Sequence, residues 1–227
     1  MSALARPLSV VVIDNDENVH RSLQSLPLSH PAVVRIVTVA ASVDELDDGP
    51  SPQPDVVVLD FWLGRDCRSS VDDIGRLVQW NAPIVLYTSE ERPYLIQTAV
   101  TAGITALCLK HDGLDALVRT LASIRDGELR PSRQLAAALA DLPPLRARLT
   151  PTEATVLRGL AYGLSASDIA TRLCVSVDTV RCHTKHIHEK YRAVLGDGPV
   201  NRQQTLRAAL EDGYWDAREW GEPWNIP

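Results

Sequence analysis

Polar side chains of several chemistries follow four of the five short apolar runs in the first half of this 227-residue chain. Carboxylates follow the first and third runs, hydroxyls follow the fourth, and an ammonium follows the fifth. The residues concerned are Asp14, Asn15, Asp16, Asp60, Thr88, Ser89 and Lys110. If the runs are parallel strands of one sheet, their carboxyl ends converge on one crevice. The spacing then predicts a phosphoryl-acceptor pocket, with Asp14 and Asp60 as Mg²⁺ ligands and with lysine and threonine binding the phosphoryl oxygens.

Two kinds of segment alternate along the first half of the chain, and together they must position these side chains. Short apolar runs, most of them rich in β-branched residues, occur at Val10–Ile13, Val33–Val39, Val56–Leu59, Ile84–Tyr87 and Ala106–Leu109. The stretches between them carry apolar residues at helical spacing. Nearly continuous apolar strands that alternate with helices are typical of a parallel sheet covered on both faces. Residues 1–126 are therefore predicted to form a five-stranded, doubly wound α/β domain of the flavodoxin-like class.

The second half of the chain reads as helical. Residues 127–148 are predicted to be a linker that contains one short Ala/Leu helix, and residues 149–213 are predicted to form an all-α domain of four helices. Thr150, Ser165 and Ser176 stand where they would cap the first three of these helices. Residues 214–227 form an acidic tail with three of the five tryptophans, which we interpret as packing on the folded domain.

The helix Val177–Val194 has one apolar seam and one cationic face. The seam consists of Val180, Thr184, Ile187, Tyr191 and Val194. A rotation of about 100° per residue places Asp178, Arg181, Cys182, Lys185, His188, Glu189 and Arg192 on the opposite side. This helix has an apolar side and a basic opposite side, and a short turn joins it to the preceding helix. Such a helix is typical of one that lies in the DNA major groove.

Residues 8–126 resemble the receiver domain of bacterial response regulators. The resemblance rests on Pro54–Asp60 and Gly103–Lys110, and it implies that Asp60 accepts a phosphoryl group, that Lys110 binds it and that Thr88 senses it. Three positions depart from the family pattern. Asn15 stands where a second Mg²⁺-binding acid is usual, Leu107 replaces an aromatic switch residue, and Phe61-Trp62-Leu63 replaces the usual loop. Asp16 could supply the missing acid if the first strand ends one residue later.

Residues 149–213 resemble the DNA-binding domain of LuxR-type regulators, the NarL/FixJ class when joined to a receiver. The matching motifs are Leu149–Glu153, Gly163–Ser165, Asp168–Ala170, Leu173, Val175–Ser176, Thr179–Arg181 and His183. The resemblance implies that Arg181, Cys182 and Lys185 read bases, while Ser176 and Thr179 hold phosphate. The inserted segment Ala193–Pro199 and Cys174, at a turn position where glycine is common, depart from the pattern.

Charge is unevenly divided along the chain, whose formal net charge is −6. Residues 1–128 carry 10 basic and 18 acidic side chains, whereas residues 149–210 carry 8 and 5. A basic second domain favours a polyanionic partner. The four cysteines contain no CxxC pair, and no apolar run reaches membrane-spanning length. We therefore predict a cytoplasmic transcriptional regulator that has no membrane partner and binds an inverted repeat of double-stranded DNA as a homodimer, with the receiver controlling dimerisation.

Other functions remain open at this stage. The receiver could work conventionally, with a sensor histidine kinase phosphorylating Asp60. Asp14-Asn15-Asp16 after an apolar strand also resembles the opening motif of aspartate-nucleophile phosphatases of the haloacid dehalogenase type, although Asn18 stands where that family has Thr or Val. A third possibility is a protein-interaction adaptor that no longer binds DNA.

The histidine-rich part of Val177–Val194 raises the question of a metal site. Cys182 and His186 are one turn apart, and His183 and His188 lie beside them. Zinc needs three or four ligands, and the neighbouring sequence supplies no others. We expect the face of a DNA-reading helix rather than a metal site here.

Overall fold

The computed structural model describes residues 6–46, 52–64, 68–127, 131–196 and 200–216. The chain divides into two compact units. Most of the first 142 residues form one unit, and the residues from Pro143 onward belong to the other. The predicted linker, residues 127–148, is therefore divided between the two units. Among the described residues, none of the helices is long and apolar enough to cross a membrane.

The first unit is a parallel sheet with helices between its strands. Its strands are β1 (Leu8–Ile13), β2 (Val34–Ala40), β3 (Val56–Leu59), a hairpin of β4 (Trp62–Leu63) and β5 (Arg68–Ser69), then β6 (Ile84–Thr88) and β7 (Ala106–Leu109). Its helices are α1 (Glu17–Gln24), α2 (Leu26–Ser29), α3 (Val71–Val78), α4 (Pro93–Ala102), α5 (Leu114–Arg125) and α6 (Pro131–Ala140), with 3₁₀ turns at Val43–Leu46 and Lys110–Asp112.

The five long strands lie in the order β2-β1-β3-β6-β7, and all of them are parallel. This is the flavodoxin-like order, in which ligands bind at the carboxyl edge of the strands. Every residue of β1, β3 and β6 is buried, because helices cover both faces of the sheet. The predicted fold class is confirmed, and each of the five predicted strands agrees with an observed strand to within two residues.

The segment after β3, where Phe61-Trp62-Leu63 replaces the family's usual loop, pairs as a hairpin. Phe61 is fully buried, and its ring meets the Trp62 ring edge-on at a centroid distance of 5.0 Å. The Trp62 indole Nε1 donates a hydrogen bond of 2.9 Å to Oε2 of the buried Glu90. Burial of two aromatic rings stabilises the pairing of β4 with β5.

The second unit contains four helices: α7 (Pro151–Ala161), α8 (Ala166–Leu173), α9 (Val177–Leu195) and α10 (Arg202–Asp212). The predicted caps are confirmed, because the hydroxyl of each capping residue accepts a hydrogen bond from the backbone N–H three residues later. The pairs are Thr150 with Glu153, Ser165 with Asp168, and Ser176 with Thr179. The core between the helices includes the side chains of Leu157, Ile169, Val180, Ile187 and Tyr191.

A buried polar network joins α9, α10 and the chain before α7. The Tyr191 hydroxyl donates to Asp212 Oδ2 at 2.9 Å, and the Asp212 carboxylate also accepts the backbone N–H groups of Arg146 and Ala147. The Tyr214 hydroxyl donates to the Ala147 carbonyl and accepts from the Leu149 N–H, both at 2.8 Å. Burial raises the pKa of Tyr191, and it raises that of Tyr214 to about 12. Both phenols therefore stay protonated and can donate.

Only the beginning of the acidic tail is among the described residues. Trp215 is half-buried, and its indole Nε1 donates to the Leu206 carbonyl at 2.8 Å. Trp220, Trp224, Cys67 and residues 197–199 of the inserted segment lie outside the described residues. The packing interpretation of the tail therefore holds for Trp215 and stays a prediction for the other two tryptophans.

Candidate nucleic-acid interface and strand-end pocket

A tight turn sets the start of α9 against the end of α8. Cys174 adopts the left-handed conformation, with φ 54° and ψ 40°, and the next N–H, that of Val175, donates to the Ala170 carbonyl at 3.0 Å. Ser176 then caps α9 by accepting from the Thr179 N–H at 3.0 Å. The two helices are thereby joined by the short turn that a helix-turn-helix needs.

One side of α9 is buried as the spacing predicted, although the seam is shorter. Val180, Ile187 and Tyr191 have at most 1% of their surface exposed, and Thr184 is half-buried. Val194 is 48% exposed, so its predicted place in the seam is wrong. The last turn of α9 runs past the hydrophobic core of this unit, which ends at Tyr191 on this helix.

The opposite side of α9 presents basic and polar groups to solvent. The side chains of Arg181 and Lys185 are 70% and 75% exposed. Ser176, Thr179, Cys182 and Arg192 are also exposed. Arg181 pairs with Asp178 at 3.0 Å, and Lys185 approaches Glu189 at 3.8 Å. Exposed pairs of this kind are weak, so both cations can exchange their partners for phosphates or base edges.

His188 does not share this exposed side, although the helical rotation grouped it there. It is half-buried, and its Nδ1 lies 2.9 Å from the Thr205 hydroxyl of α10. Burial and, after it, the charge of Arg202 lower the pKa of His188, which favours the neutral imidazole. The position corrects the predicted DNA contact, because α10 covers this flank of α9.

The strand-end pocket of the first unit brings together three of the predicted side chains. Asp14 follows β1, Asp60 follows β3 and Lys110 follows β7. The Lys110 Nζ lies 2.8 Å from Asp14 Oδ2 and 3.0 Å from Asp60 Oδ2. The remaining carboxylate oxygens accept backbone N–H groups, Asp14 Oδ1 from Asp16 and Asp60 Oδ1 from Phe61, each at 2.8 Å. All four oxygens are therefore engaged within the protein.

Burial dominates the electrostatics of this pocket. Asp14 is 2% and Asp60 9% exposed. Burial raises the pKa of Asp60, and the Lys110 ammonium opposes the shift only in part. Burial alone would lower the pKa of Lys110, but the Asp60 and Asp14 carboxylates outweigh it and leave the pKa raised. The ammonium is thus held in its charged form between two acids.

The other predicted pocket residues bind backbone groups. The Asn15 Nδ2 donates to the Gly64 carbonyl at 2.8 Å. Asp16 caps α1 and accepts the Asn18 N–H at 2.8 Å, so it does not replace the acid that Asn15 lacks. The Thr88 hydroxyl is buried, accepts the Glu90 N–H at 3.1 Å, and lowers the pKa of Asp60 through a hydrogen bond. Thr88 therefore adjoins the acid, as predicted, while Asn15 and Asp16 serve the surrounding loops.

Comparisons with known proteins cover both halves of the chain. Residues 147–194 match the luxR family of bacterial regulatory proteins. The chain is 28% identical to a nitrate/nitrite response regulator protein homolog of Haemophilus influenzae over 189 residues, 81% of this chain and 89% of that protein. It is 25% identical to the nitrate/nitrite response regulator NarL of Escherichia coli over 195 residues, 82% of this chain and 90% of NarL. Residues 147–194 therefore carry a luxR-type domain, and most of the chain is similar to response regulators of the NarL type.

A solved structure shows the same fold. RcsB from Salmonella enterica serovar Typhimurium, bound to a promoter in the presence of the phosphomimetic BeF₃⁻, superposes with a TM-score of 0.59 at 20% identity. The superposition covers 91% of this chain and 99% of that chain. The order of a receiver-like sheet followed by a helical DNA-binding domain is therefore shared along nearly the whole length.

Magnesium does not fit the strand-end pocket as its side chains are arranged. Mg²⁺ demands near-octahedral oxygen ligands, and it usually draws one or two of them from carboxylates. Asp14 and Asp60 meet that number, but the Lys110 ammonium already bridges them. Asn15 brings no charge, and Asp16 is committed to the α1 cap. The predicted magnesium site at Asp14 and Asp60 would need Lys110 to move away.

Sequence reasoning missed two residues that organise the second unit. Glu153, 4% exposed at the start of α7, accepts a hydrogen bond of 2.6 Å from the Lys190 ammonium of α9. Lys190 also donates to the Arg148 carbonyl at 3.1 Å. The capping box revealed the local role of Glu153 but not this pairing, which depends on how α7 packs against α9.

Proposed function

We propose that this regulator reads base edges with Arg181, Cys182 and Lys185. Ser176, Thr179 and Arg192 bind the flanking phosphates. The observation that carries the proposal is the exposed face of α9, where two strongly exposed cations stand on a helix whose other side is anchored in a core. Side chains near the N-terminus of such a helix reach base edges, while flanking groups meet the backbone. The assignment excludes His188, which faces α10.

The protein binds its promoter as a homodimer on an inverted repeat. One copy of α9 reads only a few base pairs, and a two-fold pair of copies matches two half-sites about one helical turn apart. Binding to duplexes with two half-sites, with 5 base pairs added between them, and with one half-site removed tests this. We expect cooperative binding to the first duplex only, since about 5 base pairs rotate one site to the opposite face of B-DNA. Equal affinity for all three duplexes would contradict the dimer.

The receiver controls dimerisation without phosphorylation of Asp60. The support is the closed set of bonds among Asp14, Lys110 and Asp60, together with Asn15 in place of an acid. The test is binding of the full-length protein to promoter fragments with and without a small phosphodonor and Mg²⁺. We expect no acyl phosphate on Asp60 and unchanged affinity. Phosphorylation that tightens DNA binding would establish the conventional alternative.

That alternative, a regulator phosphorylated by a sensor histidine kinase, has one specific observation in its favour. Asp60, Lys110 and Thr88 lie together at the carboxyl edge of the sheet, as the receiver resemblance implies. The phosphatase alternative has less support, because the second acid of its motif, Asp16, caps α1. Hydrolysis of a generic phosphate ester that disappears in Asp14→Asn would revive it.

A further inference from the structure

Three metal-binding side chains converge in the DNA-binding unit although two of them lie 30 or more residues from the third. One donor atom each from Glu153, His183 and His186 lies within 4.8 Å of the other two. The histidines are one turn apart on α9, and Glu153 is the third residue of α7. The sequence showed the histidine pair but not the carboxylate, because only the packing of α7 against α9 brings it there.

The His183 ring supplies a second, independent observation. Its Nδ1 is buried and has no hydrogen-bond partner within the described part of the chain. Buried ring nitrogens are nearly always paired, because an unpaired polar group loses its solvation without compensation. In the neutral imidazole one ring nitrogen is an acceptor, and a metal ion satisfies it as well as a proton donor does.

The carboxylate of Glu153 is held in place by neighbours. The Thr150 N–H donates to Oε2 at 2.7 Å, and the Lys190 Nζ donates to the same oxygen at 2.6 Å. Such bonds fix the orientation of the carboxylate. The Lys190 ammonium opposes a second positive charge nearby, so it limits the affinity of the cluster for a metal ion.

We propose that Glu153, His183 and His186 bind one divalent transition-metal ion of the zinc class. Two imidazoles and one carboxylate suit zinc and its neighbours, whereas magnesium and calcium prefer oxygen ligands alone. Water completes the tetrahedron. The ion ties α7 to the helix that carries Arg181 and Lys185, so binding stabilises the DNA-binding unit. The proposal does not rest on the proposed base contacts, although one of those residues, Cys182, lies 3.8 Å from the His186 Nε2.

Cobalt titration of the full-length protein tests the proposal, since tetrahedral Co²⁺ gives visible absorption bands and Zn²⁺ should displace it. We expect one Co²⁺ per chain, and an apparent melting temperature that rises with Zn²⁺. His186→Ala and His183→Ala should each weaken binding at least about 10-fold, because each removes a ligand directly. His186 is exposed, so His186→Ala should leave the fold intact, as far-UV circular dichroism can verify.

Two control variants sharpen the outcome. His111→Ala removes an exposed histidine of the first unit, and Cys182→Ser removes the thiol 3.8 Å from the His186 Nε2. Both should bind Co²⁺ like the parent. Unchanged affinity in folded His186→Ala would overturn the proposal. So would a titration without visible bands, or loss of binding in Cys182→Ser, which would assign the metal to a different ligand set.

Discussion

Charged groups in the strand-end pocket and on the face of α9 have opposite surroundings. In the pocket, Lys110 is 18% exposed at its side chain and binds two buried carboxylates. On α9, Arg181 and Lys185 are at least 70% exposed, and their partners are exposed acids one turn away. A buried pair whose partners are all internal is costly to take apart, whereas exposed cations exchange partners at little cost. We therefore expect the charges of the pocket to stabilise the fold, and the charges of α9 to bind a partner.

Reversing the two cations of α9 should produce the largest effect. We expect Arg181→Glu/Lys185→Glu to lower affinity for promoter DNA about 1000-fold, because each residue makes a base or phosphate contact worth roughly 1–3 kcal/mol. The salt dependence of binding should also become shallower. Fluorescence anisotropy at several salt concentrations measures both quantities.

The matched control for this double variant is Arg21→Glu/Arg35→Glu, which changes the net charge equally at exposed positions of the first unit. It should lose far less affinity, since only long-range charge is altered. If both double variants lose affinity alike, net charge rather than the face of α9 governs binding. If neither loses affinity, the assignment of α9 is wrong.

Replacing one lysine by methionine in each region compares how much the two charges contribute to the free energy of unfolding. Lys110→Met leaves the Asp14 and Asp60 carboxylates buried without their cation, and we expect it to reduce the free energy of unfolding by about 3 kcal/mol. Lys185→Met removes an exposed ammonium and should change it by less than about 0.5 kcal/mol. Urea denaturation at pH 7 measures both. Equal losses would show that the pocket bonds contribute no more than a surface pair.

The pH dependence of Lys110→Met follows from the same pocket. Without the ammonium, burial and the Asp14 charge should raise the pKa of Asp60 further above its usual 3.8. A carboxyl with a raised pKa in the folded state costs stability when ionised, and that cost is removed as pH falls through the folded pKa toward the unfolded one. The stability deficit of Lys110→Met should therefore shrink as the pH is lowered from 7. A deficit that grows would contradict the assignment.

Local pattern was sufficient to predict most of the fold, because the signals are strong and contiguous. Val56–Leu59 is a β-branched run buried on both faces, and Thr150-Pro151-Thr152-Glu153 carries a complete cap. Strand ends also predicted that Asp14, Asp60 and Lys110 would meet, since the topology of a parallel sheet forces convergence. The rotation per residue of an α-helix correctly predicted that Arg181 and Lys185 lie on the exposed side of α9.

Features that depend on packing could not be predicted from local pattern. Nothing near His183 in sequence indicates Glu153, and nothing near His188 indicates that α10 covers it. The hydrogen bond from Trp62 to Glu90 joins residues 28 apart, so no local pattern indicates it. Asp16 was ambiguous because an acid after a strand can serve either a pocket or a helix cap, and here it caps α1.

The buried Tyr191 of α9 tests whether a neutral group with a buried partner also stabilises the fold. Tyr191→Phe removes the hydroxyl that donates to the buried Asp212, and we expect a loss of about 2 kcal/mol, as for a hydrogen bond to a charged group. Tyr87→Phe in the sheet is the matched control, since the described residues offer its hydroxyl no hydrogen-bond partner; its effect should be below about 0.5 kcal/mol. Equal effects, measured by urea denaturation, would show that the Asp212 bond adds nothing.

The smallest expected effect is a gain, at the turn that positions α9. Cys174 has φ 54°, where an L side chain crowds its backbone, and glycine removes that strain. Because glycine also gives the unfolded chain more freedom, the net gain of Cys174→Gly should be about 0.5–1 kcal/mol. Asn81, at φ 53° in the first unit, is the matched control: asparagine tolerates this conformation, so Asn81→Gly should gain less. If Asn81→Gly gains as much in urea denaturation, side-chain type has no influence at these turns. If Cys174→Gly loses stability, the cysteine makes a stabilising contact that outweighs its strained backbone.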